Sequence, residues 1–286
     1  MLAVAVPLIV AACVGLLPHR GGIATELAAP PADEATILAA RGPDMLVFRF
    51  RDAPAVLVLS FPSLRQQGEM LDRVAAFVEK AGLPHERVLS DAELSAAIRQ
   101  AGDIEETYYY GHDYRAADLA RFFVAADHDG VVLDAQEQRL REVLQQAGLL
   151  APNAVGALIS IPPEVASEQI DATSRATILH HELAHGVFFT DPAYAAYART
   201  FWQTVLNETQ RAGFRRFLGS DGYDAANEDL MLNEAQAYLV HTGDARYFVP
   251  GRAGLSVAEA EALRETFVRG MPEGWLKASA LSGRGR

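Results

Sequence analysis

The residues with the clearest chemical potential form the pattern His-Glu-x-x-His at positions 181 to 185. On a helix, His181 and His185 lie on the same face one turn apart, so their imidazoles can converge on one metal ion. Glu182 lies about 100 degrees around the helix from His181, where it can reach a metal-bound water without ligating the metal. Zinc in such a site lowers the pKa of its water to about 7. The pattern therefore predicts a hydrolase.

The sequence around this pattern, TILHHELAHGVFF at positions 177 to 189, predicts a helix. Asp171, Thr173 or Ser174 can supply the N-cap. The positions flanking the histidines are apolar and nearly free of charge, which is typical of a buried helix. The competing interpretation is an ordinary amphipathic helix that carries two packed or exposed histidines without a metal.

A catalytic zinc ion needs a third protein ligand, and four later carboxylates are candidates: Glu234, Asp191, Glu228 and Asp221. Glu234 lies in LNEAQAYLV, a segment that also has a helical pattern. Asp191 follows His185 by six residues and precedes Pro192, a pair typical of an N-cap and the first residue of a new helix. We therefore favour Glu234 and keep the other three as alternatives.

The His-Glu-x-x-His pattern, followed by Asn233-Glu234-x-x-Ala237, resembles the gluzincin family of zinc metallopeptidases over residues 171–241. The resemblance implies a zincin-like α+β fold, zinc held by His181, His185 and Glu234, and a protein or peptide substrate. It also implies that Glu182 is the general base that passes its proton to the leaving amine.

A second resemblance gives an alternative: the spacing from His185 to Asp191 is similar to the extended motif of metzincins, with Asp191 as the third ligand. Metzincins need a glycine three residues after the second histidine, where the chain turns sharply. This chain has Phe188 at that position, which disfavours such a turn.

Three further residues are candidates for stabilising the oxyanion of a tetrahedral intermediate. Tyr238 and His241 follow Glu234 by four and seven residues, which places them on the same helical face as the ligand. Tyr223 lies in the turn-rich segment between the two ligand helices. The alternative is structural: Tyr238 as a packing residue and His241 as a helix C-cap before Thr242.

The composition indicates a globular protein of one large or two small domains. The chain has 286 residues, of which 50% are hydrophobic and 22% charged. Its formal net charge is -12, and the longest basic run is the pair at positions 215 and 216. We therefore expect no nucleic-acid partner.

The first 17 residues are apolar and carry no charge, which favours export. Val10-Ala11-Ala12-Cys13 resembles a bacterial lipobox, and Cys13 is the single cysteine of the chain. A lipoprotein, an uncleaved membrane anchor and a simple signal peptide are the three alternatives. Each places the catalytic part in the cell envelope or outside the cell, and the first two attach it to the membrane. Residues 18–43, rich in Ala, Pro and Gly, are predicted to be a flexible tether.

The remaining periodicity predicts an α+β region over residues 44–165 and a helical zinc-site region over 166–286. The first region is expected to hold strands at 45–50, 55–60 and 154–161 and helices at 70–81, 90–100 and 135–147. By the resemblance, the strand at 154–161 is the edge that pairs with substrate. The run of three tyrosines at 108–110 predicts a strand or the wall of a substrate groove. In the second region we expect one long helix over 192–218, another over 256–269, and a disordered tail at 278–286.

Overall fold

A computed structural model describes residues 29–282 and shows an α+β protein with one mixed five-stranded sheet. The predicted export segment at residues 1–17 lies outside this range. Within it, no helix combines the length and apolarity that a membrane crossing requires. The strands are β1 (Pro31–Ala32), β2 (Leu46–Phe50), β3 (Val56–Ser60), β4 (His112–Arg115) and β5 (Ala157–Ile161). The α-helices are α1 (Glu34–Ala39), α2 (Leu64–Val78), α3 (Asp91–Ala101), α4 (Ala116–Asp129), α5 (Ala135–Gln146), α6 (Ala172–Thr190), α7 (Pro192–Thr204), α8 (Glu208–Ser220), α9 (Glu228–Gln236), α10 (Val257–Gly270) and α11 (Trp275–Ser282).

The strands lie in the order β1-β2-β3-β5-β4. β3 and β5 pair in parallel, with Val58 opposite Ile159, and every residue of both strands is buried. β4 pairs antiparallel with β5 and forms one edge of the sheet. The prediction that the strand at 154–161 is the edge strand is therefore wrong, because β5 lies between β3 and β4 and all of its residues are buried, as is typical of an internal strand.

Alternating side chains of β3 place two different helical layers on the two faces of the sheet. Leu57 and Leu59 pack in a core with helices α2, α4 and α5. Val56 and Val58 face the other way and pack in a core with α1 and with α6, the helix that carries the His-Glu-x-x-His pattern. A third core consists of the far side of α6 and helices α7 to α11. Helix α6 is thus buried between the sheet and the helical half.

A glycine allows α6 to approach the sheet closely. A Cβ atom at Gly186 would lie 2.8 Å from Cγ1 and 3.0 Å from Cγ2 of Val56. Helix α6 therefore contacts β3 directly at Gly186. Because His185 precedes this contact by one residue, the contact fixes how deeply His185 is buried.

Part of the predicted tether is ordered, so that prediction is wrong for residues 31–39. The side chain of Asp33 caps α1 by accepting from the amide of Thr36 at 2.8 Å. Ile37 is completely buried, and the buried guanidinium of Arg175 on α6 donates to the carbonyl of Leu38 at 2.5 Å. These contacts anchor the segment to α6.

Three other predictions are corrected by local structure. The helix expected over 192–218 is two helices, because Asn207 starts α8 with a capping box that includes Gln210. The strand expected in the tyrosine run begins only at His112. The predicted disordered tail is helical up to Ser282, because it belongs to α11, which packs through its buried residue Leu276. Helix α4 was not predicted, whereas the strands near 45–50 and 55–60 and the helices near 90–100, 135–147 and 256–269 are confirmed.

Candidate metal centre

Helix α6 begins and runs as its sequence predicts. Asp171 is the N-cap, and its carboxylate accepts from the amide of Ser174 at 2.8 Å. Glu182 and His185 are 5% and 0% exposed, so the chemically active face of the helix points into the protein. The interpretation of two histidines on an exposed amphipathic helix is therefore excluded.

Glu234 on α9 meets the two histidines of α6. The distance from His181 Nε2 to His185 Nε2 is 3.0 Å. Glu234 Oε2 lies 3.6 Å from His181 Nε2, and Glu234 Oε1 lies 3.7 Å from His185 Nε2. Bonds of 2.0 to 2.2 Å in a tetrahedral zinc site place ligand atoms about 3.3 to 3.6 Å apart. The three donor distances, 3.0, 3.6 and 3.7 Å, lie within about 0.3 Å of this range, so small side-chain adjustments would bring the donors to the spacing of a metal site.

The hydrogen-bond pattern also fits a metal ion at this point. Glu234 is 1% exposed, and within residues 29–282 its Oε2 atom has no hydrogen-bond partner. A buried carboxylate oxygen without a donor is unfavourable unless a cation compensates it. The two-imidazole, one-carboxylate donor set suits zinc as well as other first-row divalent ions.

Thr242 orients the imidazole of His181. Its hydroxyl donates to the carbonyl of Ala237 at 3.0 Å, so its oxygen can accept from His181 Nδ1, which lies 2.8 Å away. The proton is thus held on Nδ1 and the lone pair of Nε2 faces Glu234. Burial lowers the pKa of His181 to about 4, so the ring is neutral and able to ligate at physiological pH.

A π-helical segment, Ala237–His241, follows α9 directly and ends next to Thr242. Such segments are rare and occur often at functional sites. Here it links Glu234, the candidate carboxylate ligand, to the hydroxyl that orients His181. The sequence pattern alone does not distinguish this π-helix from a continued α-helix.

Glu182 lies beside the three donors and against the backbone of residue 111. A Cβ atom at Gly111 would collide with Glu182 Oε1, so this position accepts only glycine while Glu182 keeps its place. Glu182 Oε2 is buried and, among the residues that the structure describes, has no hydrogen-bond partner. Burial, reinforced by the carboxylate of Asp113, raises the pKa of Glu182 well above its ordinary range.

His181 and Glu182 form part of the wall of a cavity of about 720 Å³. Its lining also includes the segment 219–223 and an unusual number of tyrosines: Tyr108, Tyr109, Tyr110, Tyr223, Tyr238 and Tyr247. Of the two interpretations of the tyrosine run, the wall of a groove agrees with the structure. The volume is within the range of small-molecule and peptide-binding clefts.

The structure separates the two oxyanion candidates that follow Glu234. The ring centre of Tyr238 lies 4.6 Å from that of His181, and Tyr238 lines the cavity. His241 is buried away from the cavity lining, with Nε2 3.4 Å from the hydroxyl of Tyr194. Burial lowers the pKa of His241 to about 3, so it is neutral. Tyr238 and Tyr223 therefore reach the cavity, whereas His241 is a packing residue of the helical half.

The other third-ligand candidates are engaged elsewhere. Asp191 ends α6 and caps α7 by accepting from the amide of Ala193 at 2.9 Å. Glu228 accepts from Arg215 at 2.9 Å, and Asp221 pairs with Arg252 at 2.6 Å. The alternative that uses Asp191 as a ligand loses its basis, because α6 continues without a turn to Thr190 and carries Asp191 past the histidines.

Two acidic residues near the centre had no signal in the sequence. Asp113 on β4 has its Oδ2 atom 3.7 Å from His185 Nε2. Glu79, which follows the last residue of α2, forms a group with Asp113 and Glu234 in which one oxygen of each lies within 4.8 Å of the others. Neither has a characteristic spacing from the histidines, so only the tertiary fold, in which β4 contacts α6 and the chain after α2 reaches the same place, brings them here.

Comparison with known proteins gives no family to which this chain can be assigned. No protein-family model, no curated protein and no solved structure matches the chain. Its function therefore has to be inferred from the centre itself.

Proposed function

We propose that this protein is a metal-dependent hydrolase, specifically a zinc metallopeptidase of zincin-like, gluzincin type. The observation that carries the proposal is the convergence of His181, His185 and Glu234, with Glu182 beside them, at the wall of a cavity that can admit substrate. A divalent ion held by the three ligands would supply Lewis acidity and lower the pKa of a water molecule.

Glu182 supplies the general base. Its carboxylate is excluded from bulk water, and its raised pKa makes it a stronger proton acceptor than a solvated glutamate. It takes a proton from the attacking water and delivers it to the leaving amine. The close contact with Gly111 holds the carboxylate in one position, so the proton acceptor is fixed before substrate binds.

Tyr238 is the favoured donor to the developing oxyanion. Burial raises the pKa of its phenol, so the hydroxyl keeps its proton throughout the neutral range. Its ring packs edge-on against that of His181 at 66° between planes, which restricts its motion. Tyr223, on the same cavity wall, is the second candidate for this role.

The edge strand β4 supports a peptide as the substrate. β4 follows Gly111 directly, and within residues 29–282 no strand pairs with its outer side. An extended peptide can add to such an edge by backbone hydrogen bonds and would then lie next to Glu182. This role was expected for the strand at 154–161 and passes to β4.

The decisive experiment compares wild type with Glu182→Gln in zinc content and in cleavage of a broad peptide library. We expect at least one equivalent of zinc in both proteins, and cleavage by the variant to be at least about 100-fold slower than by wild type. Zinc-loaded wild type that cleaves no peptide would contradict the proposal and favour the alternative, a non-catalytic envelope protein with a structural metal site.

The apolar N-terminal segment and its lipobox-like sequence support a location in the cell envelope, attached to the membrane through Cys13. Labelling with a radioactive fatty acid tests this. Wild type should be labelled and recovered with membranes, and Cys13→Ser should not be labelled. Equal recovery of both proteins in the soluble fraction would contradict it.

A further inference from the structure

Two carboxylates, those of buried Glu79 and half-buried Asp113, adjoin the proposed metal centre and are neither ligand nor base in the proposed chemistry. With Glu234 they form a group in which one carboxylate oxygen of each residue lies within 4.8 Å of the others. The group of His181, His185 and Glu234 shares Glu234 with it. One set of donors therefore contains nitrogen and oxygen, the other contains oxygen only, and the Glu234 carboxylate belongs to both.

Four carboxylates are crowded together at this place. Glu79, Glu182 and Glu234 are 4%, 5% and 1% exposed, and the side chain of Asp113 is 12% exposed. In the part of the chain that the structure describes, none of the four forms a close ion pair with Lys or Arg, and their only basic neighbours at that range are His181 and His185.

One divalent ion would compensate two of four ionised carboxylates, and two such ions would compensate all four. Burial of uncompensated charge is strongly unfavourable.

Lys80 does not resolve this imbalance. It follows Glu79 in sequence, but its ammonium lies over the rings of Tyr108 and Tyr109, 4.1 Å from each ring centre. It is a single charge, and it forms no close ion pair with any of the four carboxylates.

Unpartnered atoms point to a ligand here as well. Glu234 Oε2 and Glu182 Oε2 are buried, and within residues 29–282 neither has a hydrogen-bond partner. Both side chains belong to the cluster: Glu234 to both groups above, and Glu182 to a further group with Asp113 and His185. Buried carboxylate oxygens without donors are positions at which a cation is expected.

We propose that Glu79, Asp113 and Glu234 form a second divalent-cation site, with Glu234 shared between it and the first centre. Its all-carboxylate donor set favours hard cations such as Mn²⁺, Mg²⁺ or Ca²⁺, whereas the imidazoles of the first centre favour zinc. The inference rests on the proposed function in one respect, which is that Glu234 also serves the first centre.

The test uses Mn²⁺, which binds both donor types and is visible by electron paramagnetic resonance. The full-length protein is stripped with a chelator and titrated with Mn²⁺. Wild type should bind two equivalents and show a spin-coupled spectrum, because the ions share a carboxylate. Glu79→Gln and His181→Gln should each bind one equivalent without coupling. Asp72→Asn is the matched control, a carboxylate 2% exposed outside the three groups, and it should keep two.

The outcomes distinguish this site from the first centre. One equivalent in wild type, lost in His181→Gln and retained in Glu79→Gln, would overturn the second site and leave the proposed hydrolase intact. One equivalent lost in both variants would show a single ion held by the whole cluster and would also overturn it. Binding of Mn²⁺ by neither wild type nor variants would overturn the second site, whereas the first centre is judged separately by its zinc content and by peptide cleavage. Asp113→Asn, with circular dichroism for all proteins, provides a second variant should Glu79→Gln fail to fold.

Discussion

At the scale of single residues, the centre depends on how each ligand is held. His181 has its Nδ1 atom fixed by the Thr242 hydroxyl, which is in turn fixed by the Ala237 carbonyl. Glu234 faces both histidines, and among the described residues its Oε2 atom has no hydrogen-bond partner. In the proposed metal site, the Glu234 carboxylate would gain a partner only from the cation, whereas the imidazole of His181 is oriented without it.

Thr242→Val is expected to weaken zinc binding about 10- to 100-fold, because the loss of an outer hydrogen bond frees the imidazole to rotate and change tautomer. Competition with a chromophoric chelator measures the change. Thr242→Ser should stay close to wild type. Thr190→Val is the control, since that hydroxyl donates to the Gly186 carbonyl on the same helix but outside the centre. Equal affinity in wild type and Thr242→Val would remove Thr242 from the site.

The choice between third ligands is tested by a pair of isosteric changes. Glu234→Gln should lose most zinc affinity, because a neutral amide replaces the only anionic ligand of the first centre. Asp191→Asn should keep the affinity of wild type, and its stability as well, because asparagine is an equally good N-cap. Zinc content after dialysis decides. The reverse pattern would move the site to Asp191.

At the scale of elements, α6 is positioned by the surface on which it packs as much as by its own sequence. Its apolar side chains Ile178, Leu179 and Leu183 face the sheet, and Ala184 and Phe188 face the helical half. Polar chemistry is confined to the remaining stripe, where the helix meets α9 and β4. Gly111 and Gly186 permit these close approaches.

Gly186→Ala should destabilise the protein by about 1 to 3 kcal/mol, because the new methyl group overlaps Val56. In an exposed helix the same change would stabilise by up to about 1 kcal/mol, so the sign itself is informative. Urea unfolding of Gly186→Ala, Val56→Ala and the double variant forms a cycle. The double variant should be destabilised by less than the sum of the two single destabilisations, because Val56→Ala makes room for the new methyl group. Additive effects would mean that α6 is not seated on β3 as described.

At the scale of the whole molecule, three cores meet around the centre, and its polar groups come from four separate elements. The histidines and Glu182 come from α6, Glu234 from α9, Asp113 from β4 and Glu79 from the end of α2. Buried titratable groups in such a fold make its stability depend on pH. His112, 2% exposed and with Nδ1 2.8 Å from the Tyr114 hydroxyl, is a clear example.

Burial lowers the pKa of His112 to about 3, against an ordinary value of about 6.5. Between these values the unfolded chain binds the proton and the folded protein does not, so stability falls as the pH falls from 6.5 towards 3. His112→Gln should reduce the slope of the unfolding free energy between pH 6 and 4 by about 1.4 kcal/mol per pH unit. Urea unfolding of the metal-free protein at several pH values measures it. An unchanged slope would mean that His112 is not buried as a neutral ring.

The sequence by itself determined what depends on local spacing. Two histidines one helical turn apart must lie on the same helical face. His181 and His185, with Glu182 next to them, could therefore be assigned to one site from the sequence alone. Alternation and capping signals likewise placed β2, β3, α3 and α5. Glu234 was favoured by its helical context and a family resemblance, and the packing of α9 on α6 agrees with it.

Only the tertiary structure decided what depends on contacts between distant segments. Glu79 and Asp113 have no periodic relation to the histidines, and Thr242 is defined as a partner of His181 only because a π-helix ends there. Tyr238 and His241 had equal claims from their spacing, since helical periodicity gives a face but not its neighbours. Tyr238 lines the cavity, whereas His241 is buried beside the Tyr194 hydroxyl. The spacing of residues along a helix fixes the direction in which each side chain points. The burial and electrostatic environment of that side chain depend on which distant segments pack against that face of the helix.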